Sequence, residues 1–133
     1  VSGGIGWGVA AAIGIQLAKP DRRVVAIIGD GSAMYSPQAL WTAAHLKLPI
    51  TFVILNNRGY RILKERLIAF HGDERFIGMD FKDPPIDMAA LSTALGTPGQ
   101  QINEPDEFIT SFSESLKSSE PSLLEVMVEP GPQ

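Results

Sequence analysis

Apolar positions along the chain fall into two kinds of run. VVAIIG (24–29), ITFVILN (50–56) and SLLEVMV (122–128) are short, nearly continuous and rich in β-branched residues. That is the pattern of strands covered on both faces in a parallel sheet. QQI (100–102) predicts a shorter strand. Between these runs lie stretches of helical character. WGVAAAIGIQLA (7–18) is small, apolar and alanine-rich, and predicts a buried helix broken at Lys19-Pro20-Asp21. Ser36-Pro37 places a cap and a first-turn proline ahead of QALWTAAHL (38–46), with Pro49 as the stop. YRILKERLIAF (60–70) carries Ile62, Arg66 and Ala69 at helical spacing, with charges on another face. Asp87 caps MAALSTAL (88–95), which Gly96 ends, and Asn103 with Pro105 opens a helix running to about Ser118. HGDERFIGMDFKDPP (71–85) has no period and reads as a long loop, a kind of segment that is often functional.

Strands alternating with helices imply parallel strands joined by crossovers. The predicted class is α/β, an open, doubly wound, mostly parallel sheet with helices on both faces, forming one domain over residues 1–133. Ligands in such sheets sit outside the carboxyl ends of the strands. Composition adds exclusions. With 44% hydrophobic and 20% charged residues the chain is of ordinary globular type. A net charge of −4 argues against a general nucleic-acid binder. The absence of cysteine removes disulfides and thiolate metal sites, and a reducing, cytoplasmic location is expected. No run approaches the roughly 20 apolar residues of a membrane helix, so no membrane partner is expected. Val1 stands inside a glycine-rich phrase without an initiating methionine, as in a piece of a longer polypeptide.

The chemistry gathers at two strand ends. The first strand runs into Gly29-Asp30-Gly31-Ser32 and the second into Asn56-Asn57-Arg58-Gly59-Tyr60. If the strands are neighbours, Asp30 and Asn57 emerge side by side. A carboxylate, an amide oxygen and backbone carbonyls form an all-oxygen set suited to Mg²⁺ or Ca²⁺. Two or three protein oxygens leave a magnesium shell open for water and phosphate. Gly31 permits a turn with positive φ, Ser32 offers a hydroxyl, and the helix start at Gly59 and Tyr60 offers free N–H groups to phosphate. The alternative reading is structural, since Asp-Gly and Asn-Asn are common turn dipeptides. Their joint placement, with one helix between, favours a metal-bridged diphosphate site. Gly6-x-Gly8-x-x-Ala11 formally matches a dinucleotide fingerprint, but only five residues precede Gly6, and the acidic residue after the next strand, Asp30, is flanked by glycines.

Gly-Asp-Gly followed by Asn-Asn, with Asp30 and Asn57 27 positions apart, resembles the thiamine diphosphate motif. GDGSAMYSPQALWTAAHLKLPITFVILNNRGY and GGIGWGVAAAIGIQLA are similar to the cofactor-binding domain of the benzoylformate decarboxylase group. The resemblance implies that Asp30, Asn57 and the Gly59 carbonyl hold Mg²⁺ or Ca²⁺, and that Gly31, Ser32 and the Gly59-Tyr60 turn hold the diphosphate. Gly3 would bond the aminopyrimidine through its backbone, and Ile5 would prop the cofactor in its bent form. It further implies a thiamine diphosphate-dependent decarboxylase of a small 2-keto acid, with an acetolactate synthase-like carboligase as the alternative. Outside the enzyme class, the alternative is an interaction domain of the same fold that binds no cofactor.

The family's activating glutamate belongs to a separate pyrimidine-binding domain, of the same or a neighbouring subunit, so no catalytic residue is expected in this chain and a homo-oligomer is. The resemblance also implies a first strand and helix before Val1. Glu65 and Glu74 are expected on solvated faces, and His45 and His71 in surface or packing roles. Ile62, Leu63 and Arg66 follow the metal loop on what is the substrate side in relatives, with Arg66 expected toward water. The 7–18 helix and Trp41 suit either a subunit interface or the core.

Overall fold

A computed structural model describes residues 4–130. Four strands, β1 (Val24–Gly29), β2 (Ile50–Asn56), β3 (Gly99–Ile102) and β4 (Ser122–Met127), form one sheet in the order β1-β2-β4-β3, with every neighbouring pair parallel. The predicted α/β class is therefore the observed one. The helices are α1 (Gly8–Ala18), α2 (Asp30–Ala33), α3 (Ala39–His45), α4 (Arg61–His71), α5 (Met88–Ala94) and α6 (Pro105–Ser115).

Strand register sorts the side chains. Ile28 lies beside Ile54, and Phe52 beside Leu123, on one face. There they join Val9, Ala12 and Ile13 of α1, Leu40 and Ala43 of α3 and Met88 of α5 in the main core. Each aliphatic side chain fully withdrawn from water contributes roughly 1.5–3 kcal/mol before the entropy of ordering is subtracted. α6 covers the opposite face, where the Thr51 hydroxyl donates to Ser115 Oγ at 3.2 Å.

Local expectations change at four elements, β1 with α1, α3 and α4. First, β1 is not covered on both faces: among the described residues it pairs with β2 alone, and Ile27 remains 68% exposed. Nor is α1 wholly buried. Val9, Ala12, Ile13 and Gln16 face inward while Ile15 and Leu17 are exposed, because the helix meets the sheet along one stripe only. Gln16 is buried at the turn into β1, where it donates to Arg22 O at 2.9 Å and accepts from Val24 N at 3.2 Å. Second, Ser36 does not cap α3. Its hydroxyl donates to Gly6 O at 2.9 Å, and Gln38 is the cap residue. The left-handed Lys47 (φ 51°) takes the chain out of α3 before Pro49 is reached. Third, α4 turns outward. Ile62, Leu63 and Phe70 are exposed, and the residue it buries is Lys64.

Candidate metal and diphosphate site

Because β1 and β2 are parallel and in register, with Gly29 beside Leu55, they end at the same edge. Asp30 opens α2 directly after β1 and is 2% exposed. The chain leaving β2 makes a tight loop. Asn56 Oδ1 accepts from Arg58 N at 2.9 Å, and Arg58 takes a left-handed φ of 61°, a conformation non-glycine residues adopt only when neighbouring bonds hold it. That turn points the Gly59 N–H back at two oxygens, Asp30 Oδ2 at 3.1 Å and Asn57 Oδ1 at 3.2 Å. The carboxylate and the carboxamide thus converge on a single nitrogen, as the strand-end argument requires.

Glycine is needed here because of close approach. A Cβ on Gly31 would stand 2.7 Å from the Tyr60 ring, and one on Gly59 would stand 2.5 Å from Met79 O. Gly31 does not use positive φ, contrary to expectation: it sits inside the short α2 turn, and what it provides is room for Tyr60. The Gly59 and Tyr60 amides are also not free. The first is shared by Asp30 and Asn57, and the second donates to Met79 O at 2.9 Å. Ser32 Oγ accepts from Gly6 N at 2.9 Å, which leaves its own O–H to donate. Ile5, one residue before the Gly6–Ser32 bond, is 37% exposed, and Gly3 lies outside the described residues. Gly6 and Gly8 of the formal dinucleotide phrase serve packing instead. They are closed off by Tyr35 and by Ile28.

The 71–85 loop folds onto the second strand end. Phe81 N donates to Arg58 O at 2.9 Å, the Tyr60 and Phe81 rings meet edge-on at 4.9 Å, and Gly59 bridges to Asp80. The buried Lys64 ammonium pairs with Asp80 Oδ1 at 2.8 Å and lies 4.9 Å from the Phe76 ring centre. Other candidates are scattered. Glu65 pairs with Arg61 in solvent, Glu74 and His71 are exposed, and Arg66 lies exposed over the Phe70 ring. His45 stacks on Trp41, which is 54% exposed and so is not a core residue.

Two aspartates in this region are shifted in opposite directions from the ordinary carboxylate value. Burial pushes Asp30 above the ordinary carboxylate range, outweighing the amides of Gly31, Gly59 and Arg58 that favour its ionised form. The Lys64 ammonium holds Asp80 below that range. A carboxyl raised in the folded state weakens the fold as pH climbs from the ordinary value through the raised one. A depressed carboxyl stabilises above its ordinary value, and that support is lost as pH falls through the depressed one. Amide-exchange protection at Tyr60 and Phe81 is therefore expected to persist at mildly acidic pH and to collapse only below the ordinary carboxylate range. Asp80→Asn should lower this protection already at neutral pH. Unchanged protection in that variant would show that the backbone bonds alone hold the loop.

The donor set fits a hard divalent cation. Asp30 is a buried carboxylate whose charge its surroundings only partly offset, and the groups beside it offer oxygen. No cluster of three or more His, Cys, Asp or Glu side chains occurs among the described residues, so such an ion would draw on amide and carbonyl oxygens. Sequence reasoning missed two polar residues behind the loop, Asn56 as a loop support and Glu125. The signal for Glu125 was a single charge within the apolar run SLLEVMV.

Residues 1–126 match the family described as thiamine pyrophosphate enzyme, C-terminal TPP binding domain. A benzoylformate decarboxylase of Pseudomonas aeruginosa is 36% identical over 125 residues, covering 94% of this chain and 23% of that protein. The acetolactate synthase isozyme 2 large subunit of Escherichia coli is 35% identical over 127 residues, covering 96% and 23%. Among solved structures, a thiamine diphosphate-dependent 4-hydroxybenzoylformate decarboxylase of Rhodococcus jostii superposes with a TM-score of 0.91 at 39% identity, covering 99% of this chain and 24% of that one. The chain thus spans about a quarter of the length of these relatives.

Proposed function

The chain belongs to the thiamine pyrophosphate enzymes, as their C-terminal TPP-binding domain, and from that premise we propose that residues 1–133 bind thiamine diphosphate through a bridging Mg²⁺ or Ca²⁺ within a longer 2-keto acid decarboxylase. The observation that carries the reading is the convergence of Asp30 Oδ2 and Asn57 Oδ1 on the Gly59 amide. In this proposal Asp30, the Asn57 side chain and the Gly59 carbonyl hold the cation. Gly31, Ser32 and the Gly59–Tyr60 turn frame the diphosphate, with the Ser32 hydroxyl as donor. Gly3 and Ile5 meet the aminopyrimidine. Bound there, the cofactor would supply the electron sink for loss of CO₂ from a 2-keto acid. This chain's own part is to bind and orient. Asp30, Asn57 and Gly59 would grip the cation, and the edge-on Tyr60 and Phe81 rings would close the floor of the site.

A decarboxylase of the benzoylformate type is supported by the 0.91 superposition with the Rhodococcus jostii enzyme. An acetolactate synthase-like carboligase is supported by the comparable identity to the Escherichia coli subunit. Both classes use the same cofactor domain. The remaining chemistry is assigned to a pyrimidine-binding domain, from the same or a neighbouring subunit of a homo-oligomer, which would carry the activating glutamate.

Isothermal titration with thiamine diphosphate is expected to show binding with Mg²⁺ and none with chelator present. Residues 1–133 alone should turn over no benzoylformate. Metal-independent binding of the cofactor, or tight binding of a reduced nicotinamide instead, would overturn the proposal.

A further inference from the structure

Glu125 is fully buried in the middle of β4, the strand beside β2. A carboxylate there is costly unless hydrogen bonds replace its water. It has three donors. Oε1 accepts from Asn56 Nδ2 at 2.5 Å and from Met88 N at 3.2 Å, and Oε2 accepts from Ala89 N at 3.1 Å. Two of these donors lie at the start of α5. The third is the residue that ends β2 and whose Oδ1 fixes Arg58 N. The left-handed turn at Arg58 in turn aims the Gly59 N–H between Asp30 and Asn57.

The chain of contacts runs without a gap from Glu125 through Asn56, Arg58 and Gly59 to the two converging oxygens. Asn56 makes opposite bonds with its two ends: the amide nitrogen donates to Glu125 and the oxygen accepts from the loop. The carboxylate therefore dictates which way the amide faces. With Asn56 turned over, its NH₂ would face the Arg58 N–H, and the left-handed turn would lose its support.

We propose that Glu125 is a positioning residue for the cation site: it locks the orientation of Asn56 and so holds the 56–59 loop in the conformation that presents Asn57 and Gly59 to the metal. This deepens the metal-bridged reading given above and rests on it. Glu125 touches neither metal nor cofactor in this role. The cation should find its loop already folded, and removing Glu125 should weaken the metal while the fold survives.

The experiment uses the full-length protein that contains this chain. Mg²⁺ affinity is measured by calorimetry at saturating thiamine diphosphate, alongside thermal stability. The wild type must bind the cofactor in a metal-dependent way; if it does not, the underlying reading fails rather than this one. Glu125→Met keeps the length of the side chain but offers Asn56 Nδ2 no comparable acceptor, and is expected to raise the Kd for Mg²⁺ about tenfold. Asp87→Ala provides the control. Asp87 Oδ1 caps α5 through Ala90 N at 2.7 Å, so its loss disturbs the same helix without touching Asn56. That variant should lower the melting temperature and leave the Mg²⁺ Kd unchanged. If Glu125→Met lowers only the melting temperature, or if Asp87→Ala weakens Mg²⁺ equally, Glu125 merely caps α5 and the proposal is wrong. Should Glu125→Met fail to fold, Asn56→Ala cuts the same link while leaving Glu125 on its α5 amides. An unchanged Mg²⁺ Kd in that variant also refutes the proposal.

Discussion

Asp30→Asn is expected to weaken metal-dependent thiamine diphosphate binding about a hundredfold while making the ligand-free protein slightly more stable. The two effects have one cause. Asp30 is nearly inaccessible, and burial outweighs the amides that favour its charge. The fold therefore holds this charge at a cost, and a neutral side chain of the same shape relieves part of that cost. The gain should be of order 1 kcal/mol, the usual scale when a functional residue held against its preference is neutralised. A cation in the site gives that charge its natural partner, so its removal should cost on the order of a hundredfold in affinity, about 2.7 kcal/mol. Denaturant titration of the ligand-free protein and calorimetry with Mg²⁺ and cofactor read the two effects separately. Undiminished magnesium-dependent binding would sink the ligand assignment. A large loss of ligand-free stability would mean that Asp30 serves chiefly as an acceptor for the Gly59 amide.

Gly59→Ala should be the most damaging single-methyl change in the loop. The added carbon would stand 2.5 Å from Met79 O, a backbone atom that cannot rotate away. Relief requires the 79–81 segment to move, which breaks the bonds from Tyr60 N to Met79 O and from Phe81 N to Arg58 O. Overpacking of this kind costs about 1–3 kcal/mol. Gly59 also donates to both Asp30 and Asn57, so cation affinity should fall together with stability. Gly72→Ala makes the comparison sharp. Gly72 ends α4 in a left-handed conformation, φ 60°, with open space around its missing Cβ. That substitution should cost roughly 1 kcal/mol of backbone strain and leave Mg²⁺ binding alone. Equal binding losses in the two variants would show that the Gly59 contact has no special part in the site.

Both experiments act on a region whose parts were legible to different degrees. Asp30 and Asn57 could be read because each sits at the end of a continuous β-branched run, and such runs announce where a strand stops. The support beneath them could not. Asn56 and Glu125 are 69 positions apart and meet only because β4 lies beside β2. The role of Gly31 was misread for the same reason. The sequence suggested backbone freedom, whereas the constraint is the ring of Tyr60, which a different strand end delivers. Lys64 looked like one of the solvent charges of α4, yet it is buried through Asp80, in a loop whose path has no periodic signal.

Local pattern by itself determined the α/β class, the positions of the four strands and the pair of strand ends that carry the oxygens. Those features depend on hydrophobic periodicity and turn chemistry, which act over a few neighbouring residues. The tertiary structure alone decided which strands are adjacent, which amides are already taken, how the 71–85 loop lies on Tyr60, and which carboxylates are raised or lowered. These depend on contacts between residues far apart in the chain, and on the loss of water around them, neither of which local sequence encodes.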